Sequence, residues 1–195
     1  MKRKGMVMFL TGLAGMLVLG WVGFPRMLYK AIDQPLQFSH AVHTADQVGM
    51  ACEDCHSFAE DGRFNGIPKV AKCGECHAAA LGATEAERIL VEDFVSKERE
   101  IPWLVYSRQP ENAYFSHIQH VKLAELKCET CHGPHGSSND LRPFEVNLMS
   151  GYSRDIWGRS MSGLRNQPWE GSKMDDCISC HAQHNKFDGC IDCHK

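Results

Sequence analysis

The strongest pattern in the chain lies at its start, where residues 5–24 (GMVMFLTGLAGMLVLGWVGF) carry no charged side chain. As a helix, an apolar run of that length spans about 30 Å, the thickness of a bilayer core. Lys2, Arg3 and Lys4 precede the run, and Trp21, Arg26, Tyr29 and Lys30 gather at its far end, where long basic and aromatic side chains settle at an interface. The pattern predicts an uncleaved signal anchor over residues 1–30, with a cytoplasmic N-terminus and everything after it exported. A cleaved signal peptide is the competing reading, but its apolar region would be shorter, and no Ala-x-Ala-like site stands before Pro25.

Beyond residue 30 the periodicity fades. One helical stretch stands out: Thr84-x-x-Glu87 forms a capping box at the head of a run reaching about Arg99. Ile101-Pro102-Trp103 ends it, because the residue before a proline is pushed towards extended backbone. Residues 133–176 show no clear period and are rich in Gly, Ser, Asn and Arg, which marks a long irregular loop with a functional or docking role. A weak repeat organises the exported part: Phe38-Ser39-His40-Ala41-Val42-His43 returns as Phe115-Ser116-His117-Ile118-Gln119-His120.

Composition changes this picture through one residue type. The chain holds 10 cysteines, and they fall in Cys-x-x-Cys pairs: Cys52 with Cys55, Cys73 with Cys76, Cys128 with Cys131, Cys177 with Cys180, and Cys190 with Cys193. Each pair is followed at once by a histidine: His56, His77, His132, His181 and His194. Two thiols at this spacing can add to the two vinyl groups of one haem, and the next residue then supplies an imidazole to the iron. Zinc knuckles and disulfides also use paired cysteines, but neither chemistry calls for an adjacent histidine every time. The expectation is five covalent haems c, with those five histidines as proximal ligands. The formal charge of −3, made more negative by haem propionates, excludes a basic nucleic-acid binder and favours a basic electron-transfer partner.

The roughly 170 residues after the anchor amount to about 35 per motif, too few for a conventional side-chain core. The fold expected is therefore that of a multihaem cytochrome, low in secondary structure, with short helices and loops wrapped around haems. Its predicted organisation is the anchor (1–30), a two-haem module (31–83), a helical linker (84–112) and a three-haem module (113–195) containing the 133–176 loop.

Five of the 11 histidines are assigned above. His40, His43, His117, His120, His135 and His184 remain as distal candidates for five iron positions. Histidines at i and i+3 leave a short helix on one side yet diverge enough to reach two irons. Bis-histidine iron has no vacant position, which suits electron transfer at low potential. One histidine is left over, either for a structural role or for a sixth haem without thioether bonds. Met149, Met161 and Met174 are alternative thioether ligands, and Arg142, Arg154, Arg159 and Arg165 are candidates for holding propionates.

The Phe-Ser-His-x-x-His repeat, Ile101-Pro102-Trp103, Cys128-Glu-Thr-Cys131-His132-Gly133-Pro134 and the closing Cys190-Ile-Asp-Cys193-His194 together resemble the class III (c3/c7) cytochromes c. With the anchor and haem count added, the chain resembles the membrane-anchored multihaem subunits of periplasmic menaquinone reductase (Qrc) complexes. The pentahaem subunits of alternative complex III are near relatives. The resemblance implies an electron-transfer subunit without a catalytic site of its own, on the periplasmic face of the cytoplasmic (inner) membrane. It would take electrons from a soluble periplasmic cytochrome c3 and pass them to an iron–sulfur subunit, towards menaquinone at a polytopic membrane partner. It also implies that the first histidine of each repeat serves the haem that follows, pairing His40 with His56 and His117 with His132. Members of that family are often credited with six haems, against the five motifs here. Two other functions stay open: a quinol-oxidising anchor cytochrome of the NapC/NrfH type, and a multihaem reductase, which needs an open iron.

Overall fold

The computed structural model describes residues 2–109, 111–149, 151, 174–186 and 189–195. Arg154, Arg159, Met161, Arg165 and most of the expected 133–176 loop lie outside the described residues.

The apolar run forms a helix whose membrane-compatible span is Arg3–Met27, with mean hydropathy 2.0 and none of it buried against the rest of the chain. Thr11 returns its hydroxyl to the Val7 carbonyl at 2.8 Å, which satisfies a polar group that hydrocarbon would leave bare. The α-helix Lys2–Val18 opens into a π-turn at Leu19–Gly23 before resuming at Phe24–Met27. Pro25 explains the widening: it has no N–H to donate, and its ring crowds the carbonyl one turn back.

Past the helix the chain enters β1 (Tyr29–Ile32), which pairs antiparallel with β2 (Phe144–Asn147) in the register Tyr29 to Asn147 and Ile32 to Phe144. Leu148 extends the pairing by donating its N–H to the Leu28 carbonyl at 2.8 Å. The 133–176 segment, expected to be irregular throughout, thus contributes a strand at the base of the anchor, and β1 straddles the boundary expected at residue 30. Tyr29–Ile32 does not alternate in polarity, and Phe144–Asn147 alternates over only four positions, which names no partner.

The rest is short helices and loops, as expected. The capped helix runs Glu85–Ile89 and continues as a π-helix, Leu90–Val95. It ends in a turn at Glu98, whose φ is 49°, rather than reaching Arg99. Thr84 caps it by accepting the Glu87 N–H at 3.2 Å. Its inner face joins a small core of Leu36, Val70, Phe94 and Ile101, against which Ile89, Leu90, Val95 and Trp103 pack. The linker helix is therefore the roof of the first module. Gln34, 8 % exposed, clamps the descending chain by donating to the Leu104 carbonyl at 2.9 Å and accepting from its N–H at 3.1 Å.

Among the described residues that is the one buried hydrophobic cluster. Among the described residues no side chain is fully enclosed, and the chain exposes 14359 Å². A compact protein of 21.9 kDa would expose roughly 9,300 Å². Part of the excess is the bare N-terminal helix.

Candidate haem-binding sites

Each Cys-x-x-Cys-His motif is built around one helical turn. The histidine N–H donates to the carbonyl of the first cysteine: His56 to Cys52 at 2.8 Å, His77 to Cys73 at 2.9 Å, His132 to Cys128 at 3.0 Å and His194 to Cys190 at 2.9 Å. The fourth motif, Cys177 to His181, lies within the longer helix Met174–Gln183. There Cys177 and Cys180 are both half-buried, and the Cys180 carbonyl accepts the His184 N–H at 3.2 Å, so the turn carrying the thiols runs on into the distal candidate. A turn puts residues i and i+3 side by side, so both thiols of a pair point the same way with the imidazole beneath them. In the first and last motifs an aspartate supports the turn: Ala51 N–H donates to Asp54 at 2.7 Å, and Gly189 N–H to Asp192 at 2.6 Å. The Cys-x-Asp-Cys spelling of those motifs carried that signal unread. All 10 cysteines are free of disulfides, Cys76 and Cys190 being the exposed ones. Among the described residues no three His, Cys, Asp or Glu side chains converge as a cage for a metal ion.

The repeat in sequence is a repeat in space. Phe38 meets His40 edge-on at 4.9 Å and stacks on His43 at 4.4 Å; Phe115 meets His117 edge-on at 4.7 Å and stacks on His120 at 4.9 Å. His43 Nδ1 bonds the Ser39 carbonyl at 2.8 Å, and His120 Nδ1 bonds the Ser116 carbonyl at 2.8 Å. The phenylalanines thus brace the second imidazole of each pair, while the carbonyls fix a tautomer that leaves Nε2 with its lone pair outward. The first pair opens the α-helix His40–Thr44, with Ser39 as its cap. The second straddles the start of the π-helix Ile118–Leu123, with His117 as its cap and His120 within it.

A metal–imidazole bond is about 2 Å long, so two imidazoles on opposite sides of one iron have ring centres roughly 6 Å apart. The structure brings His43 and His77 to 6.1 Å, His117 and His132 to 6.4 Å, and His120 and His181 to 6.1 Å. The second and third pairs are nearly parallel, at 2° and 13°, whereas the first is turned by 53°. The residues present fit haem in the manner the motifs require.

His40 meets His135 at 5.6 Å and bonds Ser138 Oγ through Nδ1 at 3.2 Å. Burial, then the fields of His135, His56 and His43, lower its pKa to about 4, so its ring is neutral and able to ligate at pH 7. Burial likewise lowers His117 and His132. His135 Nε2 lies 2.7 Å from the Tyr106 hydroxyl, and Arg142 stacks 4.0 Å over that phenol ring. His56 bonds the Gly66 carbonyl through Nδ1 at 2.9 Å and stacks on Phe64, which also stacks on His117 at 4.1 Å. Phe64 therefore links the first motif to the second repeat, a role the sequence did not suggest. His184 is exposed at the end of its helix, and Met149 and Met174 are exposed as well, at 79% and 59%.

The thiols of successive motifs approach one another. Burial is the main reason the Cys55, Cys73, Cys128 and Cys177 thiols titrate high, but neighbouring thiols add to it. Cys55 sits in the field of Cys76, Cys73 in that of Cys55, Cys128 against Cys52, and Cys177 near Cys131 and Cys193. The Lys122–Glu53 ion pair and the Lys122 ammonium over the Phe58 ring, 5.2 Å away, tie the same junction.

Paired thiols over a shared histidine, Phe-braced histidine pairs and a minimal core define a multihaem cytochrome c. The Class III cytochrome C family matches residues 25–99, a stretch holding the first repeat, the first two motifs and the linker helix. Over its greater length the chain is 37% identical to the "Menaquinone reductase, multiheme cytochrome c subunit" of Nitratidesulfovibrio vulgaris, across 190 residues covering 93% of this chain and 83% of that protein. The chain belongs to that family of multihaem cytochrome c subunits and binds haem c.

Proposed function

We propose that this chain is the membrane-anchored electron relay of a menaquinone-linked respiratory complex, carrying five haems c. The cysteine pairs hold the haems, and His56, His77, His132, His181 and His194 are the proximal ligands. The reading is carried by the histidine pairs at 6.1 to 6.4 Å, which support pairing His43 with His77, His117 with His132 and His120 with His181. His40, His135 and His184 are left for the irons of His56 and His194.

Haem supplies one-electron chemistry between ferric and ferrous iron. The protein's part is to saturate both axial positions and to set neighbouring sites edge to edge. Phe64, stacked on both His56 and His117, supports adjacency of the first and third motifs, and the repeat carrying His117 and His120 supports adjacency of the third and fourth. The name of the relative supports menaquinone as the quinone served by the complex. The apolar helix with Lys2, Arg3 and Lys4 before it supports anchoring in the cytoplasmic membrane with the haem region in the periplasm. There a soluble cytochrome c3 would be the donor, and an iron–sulfur subunit with a polytopic partner the route onward. The modules expected at 31–83 and 113–195 are the two halves of this relay, each opened by one repeat.

The test is pyridine haemochrome quantitation on the detergent-purified protein together with carbon monoxide binding to its reduced form. Five haems and no carbon monoxide complex are expected. A high-affinity complex at one haem would replace the relay with a reductase, and isolation without an iron–sulfur or polytopic companion would count against the complex.

A further inference from the structure

Glu87 departs from the role its sequence position assigns. In a capping box its carboxylate would return to the Thr84 N–H. Instead Oε1 lies 3.1 Å from His77 Nδ1 and 2.7 Å from the Leu81 N–H, and Oε2 accepts from the Gly82 N–H at 2.7 Å. Three donors outcompete one. The loop 78–83 wraps the carboxylate so tightly that a Cβ on Gly82 would stand 2.9 Å from Oε2. The Glu87 side chain is 12% exposed and that of His77 18%, and no lysine or arginine pairs with Glu87 among the described residues.

Four other candidate ligands bond neutral groups through Nδ1. His43, His56 and His120 each bond a backbone carbonyl, and His40 a serine hydroxyl. A carboxylate differs from these in kind: it draws the Nδ1 proton towards itself, raises the basicity of Nε2 and adds a negative charge close to the iron. Both effects stabilise ferric over ferrous iron.

We propose that Glu87 is a positioning residue whose charge lowers the reduction potential of the haem held by Cys73, Cys76 and His77, setting it below its module partner on His56. The step affected is the addition of one electron to ferric iron, with no bond broken and no proton exchanged. The inference rests on the assignment of His77 as an iron ligand.

Glu87→Gln tests it, because glutamine keeps the shape and the acceptor oxygen and removes only the charge. Spectroelectrochemical titration of the full-length, five-haem protein should show one component raised by about tenfold in its reduction equilibrium, or ~59 mV for one electron. The other four components should be unmoved. Thr84→Ala, which removes the helix cap but leaves the carboxylate, should move none. Unshifted components in Glu87→Gln, or the same shift in Thr84→Ala, would overturn the proposal. If Glu87→Gln binds only four haems, the component missing from its titration belongs to His77, and it must then lie below the midpoint of the wild-type range; above it, the idea fails. A wild-type haem count other than five would instead sink the five-haem assignment.

Discussion

The two copies of Phe-Ser-His-x-x-His agree ring by ring, yet the halves built around them are held in different ways. Phe38 and Phe115 stack on their second histidines at 22° and 21° and meet the first at 84° and 88°. Around the first copy lies the hydrophobic core, Leu36, Val70, Phe94 and Ile101, roofed by the linker helix. Around the second, no described side chain between residues 113 and 195 is buried. Ring geometry is thus written into six residues and copies where they recur, whereas a packed core needs contributions from distant segments and, among the described residues, forms once.

The largest test of that equivalence removes a ligand from each copy. His43→Ala and His120→Ala should each leave one five-coordinate haem per chain, read as one equivalent of carbon monoxide bound on reduction, where the unaltered protein binds none. Should only one variant bind it, the copies are alike in shape and not in ligation. A smaller effect tests the asymmetry. Phe94, 5% exposed in the core, should cost about 3–5 kcal/mol on truncation to alanine, measured by denaturant unfolding of the holoprotein. Loss should be confined to signals of the first two haems; equal loss in the last three would mean that one core serves both halves. The smallest concerns their junction. Lys122 and Glu53 are 45% and 46% exposed, so Lys122→Ala should cost at most about 1 kcal/mol, and less as salt is raised.

Much of the site was legible because its information is local. A Cys-x-x-Cys-His motif fits in one turn, the Phe-Ser-His-x-x-His brace in less than two, and the anchor declares itself by composition alone. What sequence did not carry is contact between distant residues. The match of Tyr29–Ile32 with Phe144–Asn147 joins segments more than a hundred positions apart. Phe64 finds His117 from another module, and His120 finds His181 rather than the histidine of the motif that follows it. Glu87 was correctly placed at a helix start, but its partner depended on the shape of a loop that no propensity describes. Thr84 and Glu87 share a motif, and only half of it forms.

The strand pair beneath the anchor has a mechanical consequence. A domain hung from a membrane by a single chain would swivel and sweep a large volume, and its outermost haem would meet a fixed partner at a low effective concentration. In the anchored relay proposed above, tying residues 144–148 back to residues 28–32 would turn that single attachment into a two-point mount. The search is thereby narrowed before any partner binds, and less orientational freedom remains to be lost when one does.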